Sequence, residues 1–444
     1  MISMTTVITY GTYDLLHHGH VRLLQRAKEL GDYLIVGVTS DNFDRFRGKI
    51  NVEQPLIERI EAVRNLGIAD KIIVEEYEGQ KIDDIQRYGV DIFTVGSDWL
   101  GYFDYLNEYC KVVYLDRTEG VSSSSIRSNI RKISMGMVGD HEYLKRFYKE
   151  SKYVNGLSID YVLTHNTDTQ AYEGAKFAQD YDELLDNVEA VYIHEYPELH
   201  YPLIKKALQK KKHVLCESPI TINVEQYLEL TKLAADNNCI LMDSLRTAFA
   251  TAYERLLLML KSGAIGDIKM IDVTCTSLRS FEHGTSDKWN SICEWGPNAM
   301  LPVFQLLGTD YVDKRMICKL SPDDPKFDLM TKVDFVYGNA VATIKVGKGI
   351  KAESELIISG TKGYAYVPSP WWKTDYFEIR YEDQSENKRF YYQLAGEGIR
   401  NELLAFKNHI MNRNNHRYID HDVSYEFISV IQDFYDMKGV TVIE

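Results

Sequence analysis

The chain has 444 residues, too many for one hydrophobic core, so two or three domains are expected. Apolar residues make up 45% and charged residues 26%, while a formal net charge of −14 argues against non-specific nucleic-acid binding, which needs a basic face. There is no signal-peptide pattern, no apolar run near the roughly 20 residues of a membrane span, and no C-x-x-C pair among six scattered cysteines, so a cytoplasmic protein with reduced thiols and no membrane or nucleic-acid partner is expected.

From Val7 the chain reads strand (VITY), turn (GTYD), helix (VRLLQRAKEL) and strand (YLIVGV). KIIV, a helix around IDDIQRY, DIFTV and KVVYL follow. Strands alternating with helices of about ten residues predict a parallel sheet with right-handed crossovers. Near Arg127–Lys132 the chain turns basic and a second such pattern begins. It runs from ISMGMVG and the helical HEYLKRFYKES through IDYVLTHN, AVYIHE, HVLCE and CILMD. Beyond the helix AYERLLLMLKSGAIG, segments such as MIDVTCTSL, VDFVYG, AVATIKVG and SELIISG read as alternating antiparallel strands, with a late helix at GIRNELLAFKNHIMN. The chain is therefore α/β throughout, with expected domains 1–131 (Rossmann-like), 132–252 (doubly wound Rossmann) and 253–444 (α+β with an open antiparallel sheet).

The sharpest motif is H-x-G-H, His17–His20, between the first strand and helix. With 12 His and 28 Gly in the chain, about 0.02 such matches are expected by chance. Two imidazoles at a helix mouth, beside its unpaired N–H groups and the positive end of its dipole, suit a triphosphate and the charge that builds at the α-phosphorus. Gly11 and Gly19 allow close backbone approach to an anion. The plainer alternative is a pair of capping or core histidines. A second element, Arg117–Arg127, follows the strand KVVYL. Its hydroxyl run (Ser122, Ser123, Ser124) before a helix is an N-cap pattern that can also cradle phosphate, and Arg117 and Arg127 add guanidinium forks.

The arc from GTYDLLHHGH through VGSDWLGYFDYL to YLDRTEGVSSSSIR closely resembles glycerol-3-phosphate cytidylyltransferases of the teichoic acid type, within the H-x-G-H nucleotidyltransferases. The resemblance implies transfer of CMP from CTP to a small phosphorylated alcohol. It implies that His17, His20 and Arg117 stabilise the transition state. Gly11, Thr12, Tyr13, Asp14, Gly19, Arg59, Asp98, Trp99, Thr118 and the serines would bind the nucleotide, and Arg47, Lys49 and Arg127 phosphate or acceptor. Mg2+ is expected on the CTP phosphates, with Asp14 as a candidate ligand.

Residues 132–444 resemble the glucose–fructose oxidoreductase and inositol dehydrogenase family, through HVLCESPI, LKSGAIGDIKMIDV and ELIISGTKGYAYV. That resemblance implies a nicotinamide cofactor, NAD(P), and an open sheet of the kind that mediates homo-oligomers. The catalytic positions are altered. Ser218, after Glu217, stands where the family has lysine, and a hydroxyl is a poor acid near neutral pH. Glu294 and Asn298 align with the family's acid and its His or Tyr. Only Gly139 survives of the dinucleotide turn, with Asp140 and His141 beside it. His194 and His200 read either as substitute acids or as solvated loop residues. Trp371 and Trp372 read as an exposed edge or dimer contact in preference to a sugar platform. Two functions remain open for this region: a non-catalytic scaffold or ligand-binding module, and a reductase that makes the polyol phosphate used by the first domain.

Overall fold

Short, near-continuously apolar strands that leave for a helix after five or six residues can bury both faces only in a parallel sheet covered by helices. The structure, a computed structural model, builds two such sheets. It describes residues 4–116, 131–165, 169–278, 289–324, 327–392, 394–411 and 419–444, in two compact units, Met1–Arg131 and Lys132–Glu444.

In the first unit β1 (Thr6–Gly11), β2 (Tyr33–Thr39), β3 (Lys71–Glu75), β4 (Ile92–Gly96) and β5 (Lys111–Leu115) form an all-parallel sheet in the order 3-2-1-4-5. Helices α1 (His18–Lys28), α2 (Asp41–Phe46), α3 (Leu56–Asn65) and α4 (Gln80–Tyr88) connect them. The strand order reverses between β1 and β4. The crevice beyond their carboxyl ends is where an open α/β sheet receives ligands.

The second unit opens with a six-stranded parallel sheet of β6 (Ile133–Val138), β7 (Leu157–Leu163), β8 (Lys176–Phe177), β9 (Ala190–Ile193), β10 (His213–Glu217) and β11 (Leu241–Ser244), ordered 11-10-9-6-7-8. Helix α5 (Tyr143–Ser151) follows β6. A nine-stranded sheet comes next: β12 (Ile268–Thr276), β13 (Asp313–Leu320), β14 (Asp328–Val336), β15 (Val341–Gly347), β16 (Leu356–Gly360), β17 (Gly363–Val367), β18 (Tyr376–Tyr381), β19 (Lys388–Tyr391) and β20 (Val440–Val442). This sheet is mixed rather than purely antiparallel, because β12 pairs with β15, and β13 with β20, in parallel. Helix Ser291–Leu307 lies between β12 and β13 in the chain and supplies the crossover that the first of these pairings needs. That helix buries Ala299, Met300, Leu301 and Val303 completely in the sheet's core, together with Phe427 and Ile431 of the last helix, His421–Tyr435.

Trp371 and Trp372 are not an exposed edge. Trp371 is fully buried, 6.1 Å from the Tyr253 ring, and Trp372 packs 4.8 Å from Trp295. Their apolar area is worth more inside this core than on a rim. Among the described residues no helix is long and apolar enough to cross a membrane.

Candidate functional site

The turn that leaves β1 carries two non-glycine residues in the left-handed region, Tyr13 (φ 53°) and Leu15 (φ 48°). Such residues cost free energy and persist where the surroundings hold them. Three contacts hold them here. A side chain at Gly11 would come within 2.9–3.2 Å of the Tyr13 ring, so glycine is required for that ring to tuck in. Asp14, nearly buried, accepts from the backbone N–H groups of Glu53 and Gln54, both at 3.0 Å. Gln54 in turn accepts the N–H of Leu15 at 2.8 Å.

The turn delivers His17 to the N-cap of α1, where its Nδ1 accepts the N–H of Gly19 at 3.1 Å. One helical turn on, His20 stacks on it, ring centroids 3.9 Å apart and planes 22° from parallel, and meets the Tyr13 ring edge-on at 5.6 Å. His20 lines a cavity of about 470 Å³ together with Gly11, Thr12, Tyr13, Asp14, Lys49, Asp98 and Trp99. Asp98 and Trp99 come from the one-turn 3₁₀ helix that follows β4, so both sides of the switch point contribute. Lys49 brings the cation, its Nζ 3.1 Å from the Thr12 hydroxyl, which donates to Asp44 at 2.8 Å. Burial pushes the Asp44 carboxyl up, against the Thr12 bond and the Lys49, Arg47 and Arg59 charges that favour its ionised form.

Arg59 does not line this cavity. It is fully buried, and its guanidinium donates to the carbonyls of Gln54 (2.9 Å), Thr12 (2.6 Å) and Thr39 (2.8 Å) and to Asp41 (2.5 Å). Its role is to fix the turn from behind. Arg47 is likewise drawn inward, with Nη2 3.2 Å from both the Thr39 hydroxyl and Asp44. Arg117, Thr118, Ser122, Ser123, Ser124 and Arg127 lie outside the described residues. Among the described residues no group of three His, Cys, Asp or Glu is placed to hold a metal. Since Asp14 also commits Oδ1 to two backbone amides, this wall does not fit a resident metal centre.

The equivalent turn of the second unit is built differently. A side chain at Gly139 (φ 141°) would sit 2.0 Å from the His194 carbonyl, so packing alone demands glycine. Asp140 accepts from the N–H of His165 (2.6 Å) and the Thr164 hydroxyl (3.0 Å). His141 Nδ1 accepts the N–H of Tyr143 at 3.1 Å, at the mouth of α5, and its ring stacks on His194 at 5.0 Å. A pyrophosphate needs free amides and no negative charge there. His141 caps the amide two residues on, as His17 does in the first turn; what sets this turn apart is the Asp140 carboxylate beside it, which opposes a pyrophosphate.

His194 and His200 are not solvated loop residues. Burial holds His194 down at about 3, neutral at physiological pH. His200 is fully buried, its two ring nitrogens each 2.9 Å from a carbonyl, of Pro219 and Glu195. At the end of β10, Glu217 accepts from the hydroxyls of Tyr192 (2.9 Å) and Ser244 (3.3 Å), and burial pushes it up to about 7. Ser218 is buried beside it. Glu294 pairs with Lys348 at 2.6 Å, and Asn298 accepts from the Thr247 hydroxyl at 2.9 Å. Sequence reasoning missed Glu402, a fully buried carboxyl held well above its usual range by burial and by nearby Glu217. The signal was present: Glu402 falls on the Ile399, Leu403, Phe406 stripe that its helix buries.

A cytidylyltransferase-like family model matches residues 8–129, and an oxidoreductase family model with an NAD-binding Rossmann fold matches residues 138–244. The glycerol-3-phosphate cytidylyltransferase of Staphylococcus aureus is 46% identical over 130 residues, which are 29% of this chain and 96% of that protein. The Bacillus subtilis enzyme of the same name is 44% identical over 127 residues, 29% of this chain and 98% of its own. Among solved structures, the 3-ketoreductase KijD10 of Actinomadura kijaniata, in complex with NADP and TDP-benzene, superposes with a TM-score of 0.61 at 18% identity, over 70% of this chain and 99% of that one. The UDP-N-acetylglucosamine 3-dehydrogenase GnnA of Acidithiobacillus ferrooxidans gives 0.59 at 15% identity, over 70% and 98%. These two establish the fold of the second unit.

Proposed function

We propose, for a chain that belongs to the cytidylyltransferase-like family through its first unit and carries an oxidoreductase-family domain in its second, that residues 1–131 transfer CMP from CTP to a small polyol phosphate. Glycerol 3-phosphate is the first candidate acceptor and ribitol phosphate the next. The product would serve a surface polymer such as teichoic acid or capsule, made in the cytoplasm by a homo-oligomer. The observation that carries the reading is the stacked His17–His20 pair at the mouth of α1, of which His20 lines a cavity together with Lys49.

The reaction is an in-line displacement. An acceptor phosphate oxygen attacks the α-phosphorus of CTP, the bond from that phosphorus to the bridging oxygen breaks, and pyrophosphate leaves. The imidazoles and the amides of α1 stabilise charge on the α-phosphate, and Lys49 neutralises the triphosphate. The resemblance implies that Arg117, Thr118, Ser122, Ser123 and Ser124 bind the CTP phosphates and base, and Arg127 phosphate or acceptor. Magnesium arrives with CTP as part of the substrate. No protein nucleophile is required. Incubation with CTP, magnesium and a panel of polyol phosphates, with pyrophosphate measured, tests this. Release that requires one acceptor is expected, and no release with any acceptor would end the reading.

For the second unit, domains 132–252 and 253–444, we propose a non-catalytic ligand-binding or scaffold role. The Asp140–His141 turn supports it. The competing reading, a reductase supplying the polyol phosphate, draws on the NADP of the KijD10 complex and on Glu217, a carboxyl pushed up to about 7 at the end of β10.

A further inference from the structure

The loop before helix Ile399–Ile410 runs through three successive left-handed residues: Gly396 (φ 70°), Glu397 (φ 48°) and Gly398 (φ 87°). Backbone crowding requires glycine at 398, while at 396 the left-handed φ favours it. A side chain at Gly398 would lie 2.6 Å from the Arg246 carbonyl, and one at Gly396 2.8 Å from the Glu150 carboxylate. Glu397, which has a side chain, adopts the same conformation between them. A non-glycine residue in this region is held there by something, and such strain gathers at ligand clamps and switches.

Three cations hold it. Arg146 on α5 reaches Oε1 of Glu397 at 2.8 Å. Lys373, from the 3₁₀ turn Trp371–Lys373, reaches Oε2 at 3.1 Å. Arg246, just past β11, reaches Oε2 at 3.4 Å and stacks on the Tyr143 ring at 4.7 Å. Partial burial works against the Glu397 charge, but Lys373 and Arg146 keep its carboxyl below the usual range. Glu397 faces three cations from three separate elements, and the Glu150 carboxylate beside Gly396 is already paired with Arg400 at 2.6 Å, so positive charge is in excess. Arg246 also faces Glu217 and Glu402, whose carboxyls are both raised by burial. Side-chain exposures of 43%, 32% and 29% for Arg146, Lys373 and Arg246 leave the cluster open to solute.

We propose that Arg146, Arg246 and Lys373 form a binding site for a phosphate monoester dianion, and that the Glu397 strap occupies it until such an anion displaces the carboxylate. A phosphate group offers three terminal oxygens to three donors that now share two, and guanidinium forks match its geometry. The proposal gives a ligand class to the second unit and rests on reading that unit as a ligand-binding module. Transferase activity is measured separately on each variant, so failure here leaves the CMP-transfer reading standing, and the reverse also holds.

The test titrates inorganic phosphate, then glycerol 3-phosphate and CTP, into the full chain, its Glu397→Gln variant, and Glu397→Gln combined with Arg146→Gln and Lys373→Met. Subtracting the last from the second isolates this site from that of the first unit. Glu397→Gln should bind inorganic phosphate at least about tenfold tighter than the parent, on the scale of one or two charge-assisted hydrogen bonds to a competing anion, and the triple variant should lose that gain. Tighter glycerol 3-phosphate than CTP would identify a free phosphate ester as the ligand, and the converse a nucleotide. Equal phosphate affinity in all three chains overturns the proposal. Should Glu397→Gln fail to fold by circular dichroism, hydrogen exchange of residues 394–398 in the parent decides. Faster exchange with phosphate supports displacement of the strap, and unchanged exchange across the phosphate range refutes it.

Discussion

Two turns in this molecule leave a parallel strand and enter a helix at the same stage of a Rossmann-like fold; both carry a histidine cap, and they differ in what braces them and in the charge beside it. The turn after β1 is held open from outside, by Asp14 on the Glu53 and Gln54 amides and by Arg59 on the Thr12 carbonyl. Its histidines stand at the mouth of α1. The turn after β6 has the same histidine cap, His141 on the Tyr143 amide as His17 on that of Gly19, but adds the Asp140 carboxylate, which binds the His165 amide. A helix N-terminus attracts anions, and a carboxylate placed at its mouth opposes them. Phosphate chemistry therefore belongs to what fills a turn, and the fold alone does not confer it.

The largest expected effect sharpens this contrast from behind the first turn. Arg59→Met removes four buried hydrogen bonds, to three carbonyls and Asp41, and one of the charges facing buried Asp44, and should cost about 3–5 kcal/mol, on the scale of a broken buried pair. Urea unfolding of the first unit reads it. His20→Ala follows; with the role proposed for His20 in stabilising the transition state, it should lower kcat for pyrophosphate release by at least ~100-fold. Near-parental turnover in both His20→Ala and His17→Ala would break the comparison.

Much of the first turn was legible beforehand. H-x-G-H places two imidazoles one helical turn apart wherever a helix starts there, and periodicity showed the helix. The bracing role of Arg59 was not legible, because its partners are carbonyls contributed by segments up to 47 residues away. The same limit hid the Glu397 strap, whose three cations are scattered over the second unit, and the parallel pairings of the nine-stranded sheet, since strand patterns carry no direction. Trp371 and the buried histidines were misread for a related reason: polarity in a sequence does not report depth.

The next effect breaks or sharpens the second turn. Gly139→Ala forces the backbone away from the His194 carbonyl and should destabilise the second unit by about 1–3 kcal/mol, with CMP transfer unchanged in a pyrophosphate assay. The smallest concerns Glu217. Its folded pKa of about 7 lies above that of the unfolded chain, so the folded state holds the extra proton between about 4.5 and 7. Its contribution is unperturbed below that window and becomes destabilising as pH rises through it. Glu217→Gln should remove this slope and stabilise the second unit at pH 8 by on the order of 1 kcal/mol, read by thermal unfolding across pH.

The central claim is that one of the two turns receives nucleotide phosphates and the other does not. Titrating the full chain with CTP by calorimetry, and with NADH and NADPH by nicotinamide fluorescence, tests it in one preparation. The account predicts micromolar CTP binding and no nicotinamide binding up to millimolar. Micromolar NADH or NADPH would contradict it, and would return the second unit to the reductases whose fold it shares.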